Sequence, residues 1–442
     1  MPTSYNFLLA SWGTSGNLNP LLTAGRQLRR SGHSVRLIAD PMMRDQVEAA
    51  GFEFIRWHRA PVGSAADPTD FSDKQDWLRQ VLFDPAVDYA ADILDEVNRV
   101  PTDALLCIDV LFGVVLGANA AGLPVAMLSP HICIKPLPGI PPAASGRAPA
   151  KTPEEQAELA ALAAEWIADF DELLPILNDT CSQLGLPRLA HTQDVFDRAD
   201  RLLLAISQAF DFQADALPEN IRYVGPLLDQ PSWSKPWQAP WPEGSVRPRA
   251  LIACSTGAQG QRDMIQRVIN AMGTIEIDAV ATAGPNLDIT ELQAPKNVHL
   301  LHSAPHDTVM KEVSLVVTQG GHGTVCRSLI NGLPQLILPN GRDQGDNAAR
   351  VEAKGAGLRL DPMASEPEIA AAVNRLIKEP HFTAAARRMG EAIRADISAS
   401  GLTREMEAIA ATGRAAGTAS RRSALHRSST ALLNLRGSRL AS

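Results

Sequence analysis

The stretch VVTQGGHGTV, residues 316–325, decides how the whole chain is interpreted. A β-branched apolar run ends at Thr318, and a segment with helical spacing begins near Thr324. The glycines between them let the backbone turn sharply and approach a ligand closely. The first amide groups of a helix have no partner within it, and the helix dipole adds positive charge at that end. The turn is therefore a candidate binding site for a phosphate group.

Short apolar runs alternate with helical segments on both sides of this turn. Such runs are typical of parallel strands that are covered on both faces. They lie at residues 6–11, 35–40, 52–57, 104–109, 124–129, 201–207, 250–255, 278–284, 298–303, 314–319 and 335–340. The sequence therefore predicts an α/β fold with two Rossmann-like domains, each a doubly wound parallel sheet, that face each other across a cleft.

A stretch with five prolines, residues 231–249, divides the chain into two halves. We predict an N-terminal domain over residues 1–228, a linker over 229–248 and a C-terminal domain over 249–412. We expect the last helices to return to the first domain. The tail, residues 413–442, has six arginines and no acidic residue, and we expect it to be disordered.

The composition is that of a soluble globular protein, with 45% hydrophobic and 20% charged residues. A net charge of −8 argues against a broad nucleic-acid-binding surface. The chain has no apolar run long enough to span a membrane, and its N-terminus lacks the basic region of a signal peptide. We therefore expect a cytoplasmic protein, monomeric or homodimeric, that has no transmembrane segment and does not bind nucleic acid.

A second polar loop, NGRDQGDN at residues 340–347, follows the next predicted strand. The carboxyl ends of parallel strands meet at one edge of a sheet, so this loop should face the same cleft as the glycine turn. Asp343 and Gln344 together accept and donate hydrogen bonds, as the hydroxyl groups of a sugar require. Its position beside a phosphate site favours sugar binding.

Residues 318–360, TQGGHGTVCRSLINGLPQLILPNGRDQGDNAARVEAKGAGLRL, resemble the donor-binding signature of the UDP-glycosyltransferase-like family. Members of this family are inverting enzymes of the glycosyltransferase B (GT-B) fold. Further resemblance lies in residues 11–40, 224–228 and 251–260. The resemblance implies that the second domain binds a nucleotide sugar and that the first domain binds the acceptor.

The same resemblance implies three groups of donor-binding residues. Those expected at the diphosphate are Ser255, Thr256, Gln319, Gly321, His322, Gly323 and Thr324. Those expected at the nucleoside are His302, Ser303 and Ser328. Asp343 and Gln344 are expected at the sugar.

Two departures from the family pattern concern the donor. Family members often have histidine at the position of Gln319, where it contacts a phosphate, whereas glutamine donates a hydrogen bond but carries no charge. His322 either substitutes for that histidine or simply packs. Members that use UDP-sugars often have glutamate where we align Ser328. A short side chain there suits a deoxyribose, which favours a dTDP-sugar while leaving a UDP-sugar open.

A third departure concerns the catalytic base. The family usually has histidine where this chain has Asn17, and an asparagine cannot take a proton. A base is ordinarily worth about 10²–10⁴-fold in rate to an attacking hydroxyl group. Asp109 ends one predicted strand and His131 follows the next, and each is a candidate base. Asn17 then orients the acceptor or closes the turn.

The sequence thus predicts an inverting glycosyltransferase that moves a sugar, such as a deoxysugar, from a dTDP- or UDP-sugar to a small, largely apolar acceptor. Such an acceptor is a natural-product aglycone or a lipid. We expect helix amides to stabilise the departing diphosphate, without a cofactor or a metal ion. Two alternatives stay open: a nucleotide-sugar-binding accessory protein without activity, and a nucleotide-sugar epimerase on the same fold.

Overall fold

A computed structural model of the chain describes residues 3–13, 15–61, 78–228, 237–242, 244–253, 261–284 and 287–413. Within these ranges the chain forms two parallel sheets, each accompanied by helices. The predicted fold class, two α/β domains of the GT-B type, is confirmed.

The first sheet has seven parallel strands among the described residues. They are β1 (Asn6–Ala10), β2 (Ser34–Ala39), β3 (Glu53–Arg56), β4 (Ala104–Ile108), β5 (Val125–Ser129), β6 (Arg201–Leu204) and β7 (Ile221–Tyr223), in the order β3-β2-β1-β4-β5-β6-β7. β4 and β5 are buried along their whole length, which explains their uninterrupted apolar sequence. The sequence pattern misses β7 because a strand of three residues is too short to show a period.

Helices connect these strands. They are α1 (Ser15–Arg30), α2 (Arg44–Ala49), α3 (Ala86–Arg99), α4 (Phe112–Ala121), α5 (Pro153–Asp171) and α6 (Leu174–Gln183), with shorter 3₁₀ turns at Pro41–Met43 and Thr192–Arg198 and a π-helical turn at Arg79–Phe83. Helix α4 ends at Gly122, whose φ of 66° lets its amide bond back to the carbonyls of Ala118 and Asn119.

The second sheet has six parallel strands among the described residues. They are β8 (Arg249–Ala253), β9 (Asp278–Thr282), β10 (Val298–Leu301), β11 (Leu315–Thr318), β12 (Gln335–Ile337) and β13 (Gly357–Arg359), in the order β10-β9-β8-β11-β12-β13. The strand order reverses between β8 and β11, and ligands of such sheets bind beyond the carboxyl ends of the strands at this point. The glycine turn that follows β11 lies at that position.

The helices of the second half continue this alternation. They are α7 (Arg262–Gly273), α8 (His306–Val309), α9 (His322–Ile330), α10 (Gln344–Ala353), α11 (Glu366–Lys378) and α12 (Pro380–Ser398), with a 3₁₀ turn at Ile289–Glu291. A further helix, α13 over residues 402–413, packs into the core of the first domain through Leu402, Met406 and Ile409. Glu407 on this helix lies 2.9 Å from Nε2 of His33 in the first domain.

Two tryptophans hold part of the linker against the second domain. The indole Nε1 atoms of Trp237 and Trp241 donate to the two carboxylate oxygens of Glu312, at 2.8 and 2.7 Å. Both rings also pack against the apolar cluster that contains Leu251 and Val316. These tryptophans therefore pin the linker to the surface of a domain.

A buried ion pair joins the two domains. Nε of Arg350, on α10, donates to Asp211 Oδ1 at 2.8 Å, and both side chains are only 2% exposed. Tyr223 Oη donates to the other oxygen of Asp211 at 2.8 Å. The neighbouring Phe210 packs in an apolar cluster of the second domain with Val325. The segment after β6 is thus bound to α10 by both charge and apolar contact.

Removing the cation of this pair should destabilise the protein strongly. We expect Arg350→Met to cost about 3–5 kcal/mol of the free energy of unfolding, because Asp211 remains buried without its partner. Urea unfolding followed by circular dichroism measures this difference. The control is Glu48→Gln, which breaks a pair that is half exposed on both sides and should change stability by less than about 1 kcal/mol. Equal effects of the two variants would contradict a role for Arg350 as the interdomain anchor.

Candidate functional site

The glycine turn after β11 has little side-chain bulk and lies against few described atoms at Gly321. Gly320 has a φ of 99°, and a Cβ atom there would lie 2.8 Å from Ile337 Cγ2, so the position requires glycine. Gly321 caps helix α9, and a Cβ atom built there would meet no described atom within 4 Å. The amides of Thr324 and Val325 bond to the Gly321 carbonyl at 3.0 Å each. The amides of His322 and Gly323 precede the first of these bonds and point out of the helix end, where a phosphate group can accept from them.

Two side chains expected at the diphosphate are directed elsewhere. Gln319 is buried, and its Nε2 donates to Gln261 Oε1 at 2.9 Å. The ring of His322 is buried against Cys326, whose Sγ lies 3.3 Å from Nε2, and its Nδ1 lies 3.4 Å from Asn347 Oδ1. Burial lowers the pKa of His322, so the ring is neutral. His322 therefore packs, the second of its two alternatives, and only its backbone amide can serve the donor.

The remaining residues expected at the diphosphate divide into two sets. Gly323 and Thr324 form the half-buried first turn of α9. Ser255 and Thr256 lie outside the described residues.

The sugar loop is tied directly to the glycine turn by Asn347, a fully buried residue of α10. Its Nδ2 donates to Asp343 Oδ2 at 2.9 Å and to the Gly320 carbonyl at 2.9 Å. Gln344 accepts from the Asn340 amide through Oε1 at 2.7 Å. Sequence reasoning missed Asn347. Its spacing of four residues from Asp343, which puts both on one face of a helix, was visible in the sequence. The arrangement fixes the expected sugar-binding pair relative to the expected phosphate site.

The nucleoside side of the site corrects one prediction. His302 and Ser303 are exposed in the loop after β10, where a base can approach them. Ser328, in contrast, is fully buried, and its hydroxyl donates to the Thr324 carbonyl at 2.8 Å. Ser328 faces the domain interior because it is one residue out of phase with the exposed face of α9. The residue on that face is Arg327, which sequence reasoning missed.

Asp109 and His131, the two candidate bases, lie against each other. Asp109 follows β4 and His131 follows β5, and these neighbouring strands bring their carboxyl ends together. His131 Nε2 lies 3.1 Å from Asp109 Oδ1, and His131 Nδ1 lies 3.0 Å from the carbonyl of Ile132, to which it donates. The Asp109 carboxylate is fully buried, whereas the His131 side chain is 25% exposed. The histidine is thus the member of the pair that a substrate can reach.

The contact between Nε2 of His131 and Oδ1 of Asp109 has the distance of an ion pair. The carboxylate oxygens of Asp109 have no other hydrogen-bond partner among the described residues. Asp109 therefore acts on the imidazole of His131 through its charge.

The charge of His131 depends on both domains. Burial lowers the pKa of His131, but the Asp109 carboxylate outweighs burial, and Asp343 of the second domain adds to it, so the pKa rises to about 9. The domain edges also touch next to this loop, because Asp346 accepts hydrogen bonds from the amides of Ala144 and Gly146 at 2.6 and 2.8 Å. The charge of the sugar loop therefore acts on His131 from the other domain.

Asn17 makes a hydrogen bond within the N-terminal turn. Its Nδ2 donates to the carbonyl of Trp12 at 2.9 Å. This bond closes the turn that leads into α1, and the neighbouring Gly13 has the positive φ of 83° that the turn needs. Of its two alternatives, orienting the acceptor or closing the turn, the structure supports the second.

Comparison with known proteins agrees with this geometry. Residues 266–409 match the family model described as the C-terminal domain of erythromycin biosynthesis protein CIII-like proteins. The chain is 26% identical over 407 residues to 4'-demethylrebeccamycin synthase of Lentzea aerocolonigenes, covering 86% of this chain and 94% of that protein. The glycotransferase of kitacinnamycin superposes with a TM-score of 0.70 at 22% identity, covering 92% of this chain and 99% of that one. Glycosyltransferase VinC, solved in complex with dTDP, superposes with a TM-score of 0.64 at 20% identity, covering 91% and 99%.

The fold and these matches define a glycosyltransferase of the GT-B fold. Its relatives are glycosyltransferases of the natural-product and antibiotic type. Among the helices of the described ranges, none is both long and apolar enough to cross a membrane.

The stability of the protein should depend on pH through His131. Because the pKa of His131 is raised from 6.5 to about 9, the ion pair contributes stability that is fully present below about pH 6.5. This contribution is lost as the pH rises through 9. Wild type should therefore lose up to about 3 kcal/mol relative to Asp109→Asn between roughly pH 6 and pH 10. Urea titrations of both proteins over this range give the difference.

The thiols of Cys133 and Cys107 also lower stability toward pH 10, but they do so in wild type and in Asp109→Asn alike. Burial raises the pKa of Cys133 to about 12 and moves the pKa of Cys107 well above its usual range. A stability difference that is flat with pH would show that His131 and Asp109 do not form an ion pair in solution.

Proposed function

We propose that the protein transfers a sugar from a dTDP- or UDP-sugar to a hydroxyl group of a small, largely apolar acceptor, with inversion at the anomeric carbon. The observation that carries the proposal is the pairing of His131 with Asp109, at a position where the charge of Asp343 on the second domain also raises the pKa of the imidazole. A proton acceptor on one domain is thereby within electrostatic range of the expected sugar position on the other. A structural neighbour solved with dTDP supports the donor class.

In the proposed reaction His131 is the base. The acceptor hydroxyl gives its proton to Nε2 of the neutral imidazole, and its oxygen attacks the anomeric carbon from the side opposite the diphosphate. The bond between that carbon and the diphosphate oxygen breaks, and the diphosphate leaves with the electron pair. Nδ1 keeps its proton and continues to donate it to the Ile132 carbonyl. Asp109 stabilises the imidazolium that forms.

The leaving diphosphate gains negative charge as the bond breaks. The amides of His322 and Gly323 are positioned to donate hydrogen bonds to this charge, and the dipole of α9 stabilises it further. We propose that these groups stabilise the leaving group without a metal ion. Asp343 and Gln344 would hold the sugar in line, because Asn347 fixes their loop against the glycine turn.

The surroundings of His131 favour a flat apolar acceptor. Helix α5 has no buried residue among those described, yet it carries a stripe of half-buried apolar side chains at helical spacing. The stripe consists of Leu159, Leu162, Trp166, Ile167 and Phe170. Trp166 Nε1 donates to the carbonyl of Ile134 at 3.1 Å, which places the stripe beside the loop that carries His131. An aglycone with fused rings fits such a surface better than a polysaccharide does.

The identity of the base can be tested by the pH dependence of kcat/KM. Only the neutral imidazole takes a proton, so wild-type kcat/KM should rise with pH and level off above about pH 9. Asp109→Asn removes the charge that contributes most to raising the pKa of His131, so the rising limb should move to lower pH. The plateau of this variant should fall about 10- to 100-fold, and His131→Gln should lose about 10²–10⁴-fold at every pH.

These two variants distinguish the candidate bases. If Asp109→Asn abolishes turnover at every pH while His131→Gln stays active, Asp109 is the base and the assignment to His131 is wrong. Binding of dTDP or UDP should be the same in both variants as in wild type, since neither residue contacts the expected nucleotide position.

The donor class can be tested by a direct screen. Purified protein is incubated with dTDP- and UDP-sugars, including dTDP-deoxysugars, and with a panel of polycyclic phenols, and release of the nucleoside diphosphate is followed by chromatography. Because a structural neighbour was solved with dTDP, we expect turnover with a dTDP-sugar to exceed turnover with the matching UDP-sugar by about tenfold or more, which corresponds to about 1.4 kcal/mol. Nucleotide binding without consumption of any sugar donor would instead support the accessory protein.

A further inference from the structure

Arg327 lies beside the start of helix α9, and its contacts with described residues include Asp307 and Gly323. Its Nε lies 3.1 Å from Asp307 Oδ1 on α8, and its Nη1 donates weakly to the Gly323 carbonyl at 3.4 Å. A Cβ atom built on Gly323 would lie only 3.2 Å from the same Nη1. The guanidinium group therefore covers Gly323, whose amide is one of the two donors that point out of the helix. Its side chain is 19% exposed, so a ligand at the helix end can reach it.

Two of the described side chains expected at the diphosphate supply no positive charge. Gln319 is uncharged and donates to Gln261, and His322 is neutral and buried. The helix dipole supplies only about half of an elementary charge. A nucleoside diphosphate, by comparison, carries more than one negative charge. A permanent cation one turn along α9 from Gly323 meets this requirement.

We propose that Arg327 binds the diphosphate of the donor and provides this permanent charge, an inference that rests on the proposed function of the cleft. Asp307 contacts the guanidinium at Nε, and Nη1 lies at the Gly323 carbonyl, so the guanidinium is beside the first turn of the helix. A guanidinium is suited to both contacts at once because its donors are arranged in a rigid fork. Lysine has a single ammonium group and cannot keep both contacts in the same geometry.

A purely structural role for Arg327 makes a different prediction. The pair with Asp307 also joins α8 to α9, and Arg327 lies close enough to His306 to help burial lower the pKa of that histidine to about 4. If the pair only pins α8, then Asp307→Asn and Arg327→Met should have equal effects on ligand binding. If Arg327 binds the diphosphate, only the loss of the guanidinium should weaken binding strongly.

The experiment is isothermal titration calorimetry of the full chain with dTDP and thymidine, and with UDP and uridine, at two salt concentrations. We expect Arg327→Met to weaken binding of the nucleoside diphosphate about 10- to 100-fold, as loss of a charge-assisted contact implies. Thymidine and uridine should bind the variant as they bind wild type. The salt dependence of diphosphate binding should become shallower, because one cation is gone.

Two further variants keep the inference testable if Arg327→Met is poorly folded. Arg327→Lys should recover part of the lost affinity, and Asp307→Asn, which keeps the guanidinium, should bind the diphosphate within about threefold of wild type. Equal affinity of wild type and Arg327→Met for the diphosphate would overturn the inference, as would an equal loss for diphosphate and nucleoside. Failure of wild type to bind either diphosphate would instead refute the proposed function, and this inference with it.

Discussion

The buried ion pair between Arg350 and Asp211 is the interaction on which the site depends. Two charged groups that are both 2% exposed cannot separate without leaving an unpaired charge in the protein interior, so the pair fixes one domain against the other. Asp346, four residues before Arg350 on α10, makes a second contact by accepting from the amides of Ala144 and Gly146. One helix of the second domain thus orients the loop of the first domain that contains His131.

This arrangement explains why the chemistry needs both domains. The first domain supplies His131 and Asp109, and the second supplies the helix end and the sugar loop. The charge of Asp343 acts on His131 across the cleft and contributes to the raised pKa of the histidine. A sugar that hydrogen-bonds to Asp343 would spread that charge and make the imidazole easier to deprotonate. Donor binding and preparation of the base are then linked by electrostatics alone, without a change in fold.

Much of the fold could be predicted because its signals are local. Buried parallel strands appear as apolar runs, and the turn after β11 needs glycine at Gly320, where any Cβ atom would meet Ile337 and Gln344. Short edge strands such as β13 could not be predicted, because three residues are too few to show the alternation of a strand. The loop with Asp343 and Gln344 could also be predicted from local sequence. Asp343 directly precedes a helix and Gln344 begins it, just after a strand.

The parts of the site that sequence could not predict depend on contacts between distant segments. Asp109 and His131 were separate candidates, and only the pairing of β4 with β5 brings them into contact. Ser328 and Arg327 differ by one position on α9, and a shift of one residue, about 100° around a helix, exchanges the buried face for the exposed one. The ring of His322 turns inward because Asn347 and Cys326, on either side of it, offer partners that sequence spacing alone does not reveal.

A crystal structure with dTDP or an intact dTDP-sugar tests the central claim most directly. The account predicts that oxygens of the terminal phosphate lie within hydrogen-bond distance of the backbone amides of His322 and Gly323. It also predicts that the anomeric carbon lies between Asp343 and Nε2 of His131. A nucleotide bound away from the start of α9, or a sugar turned away from His131, would contradict it.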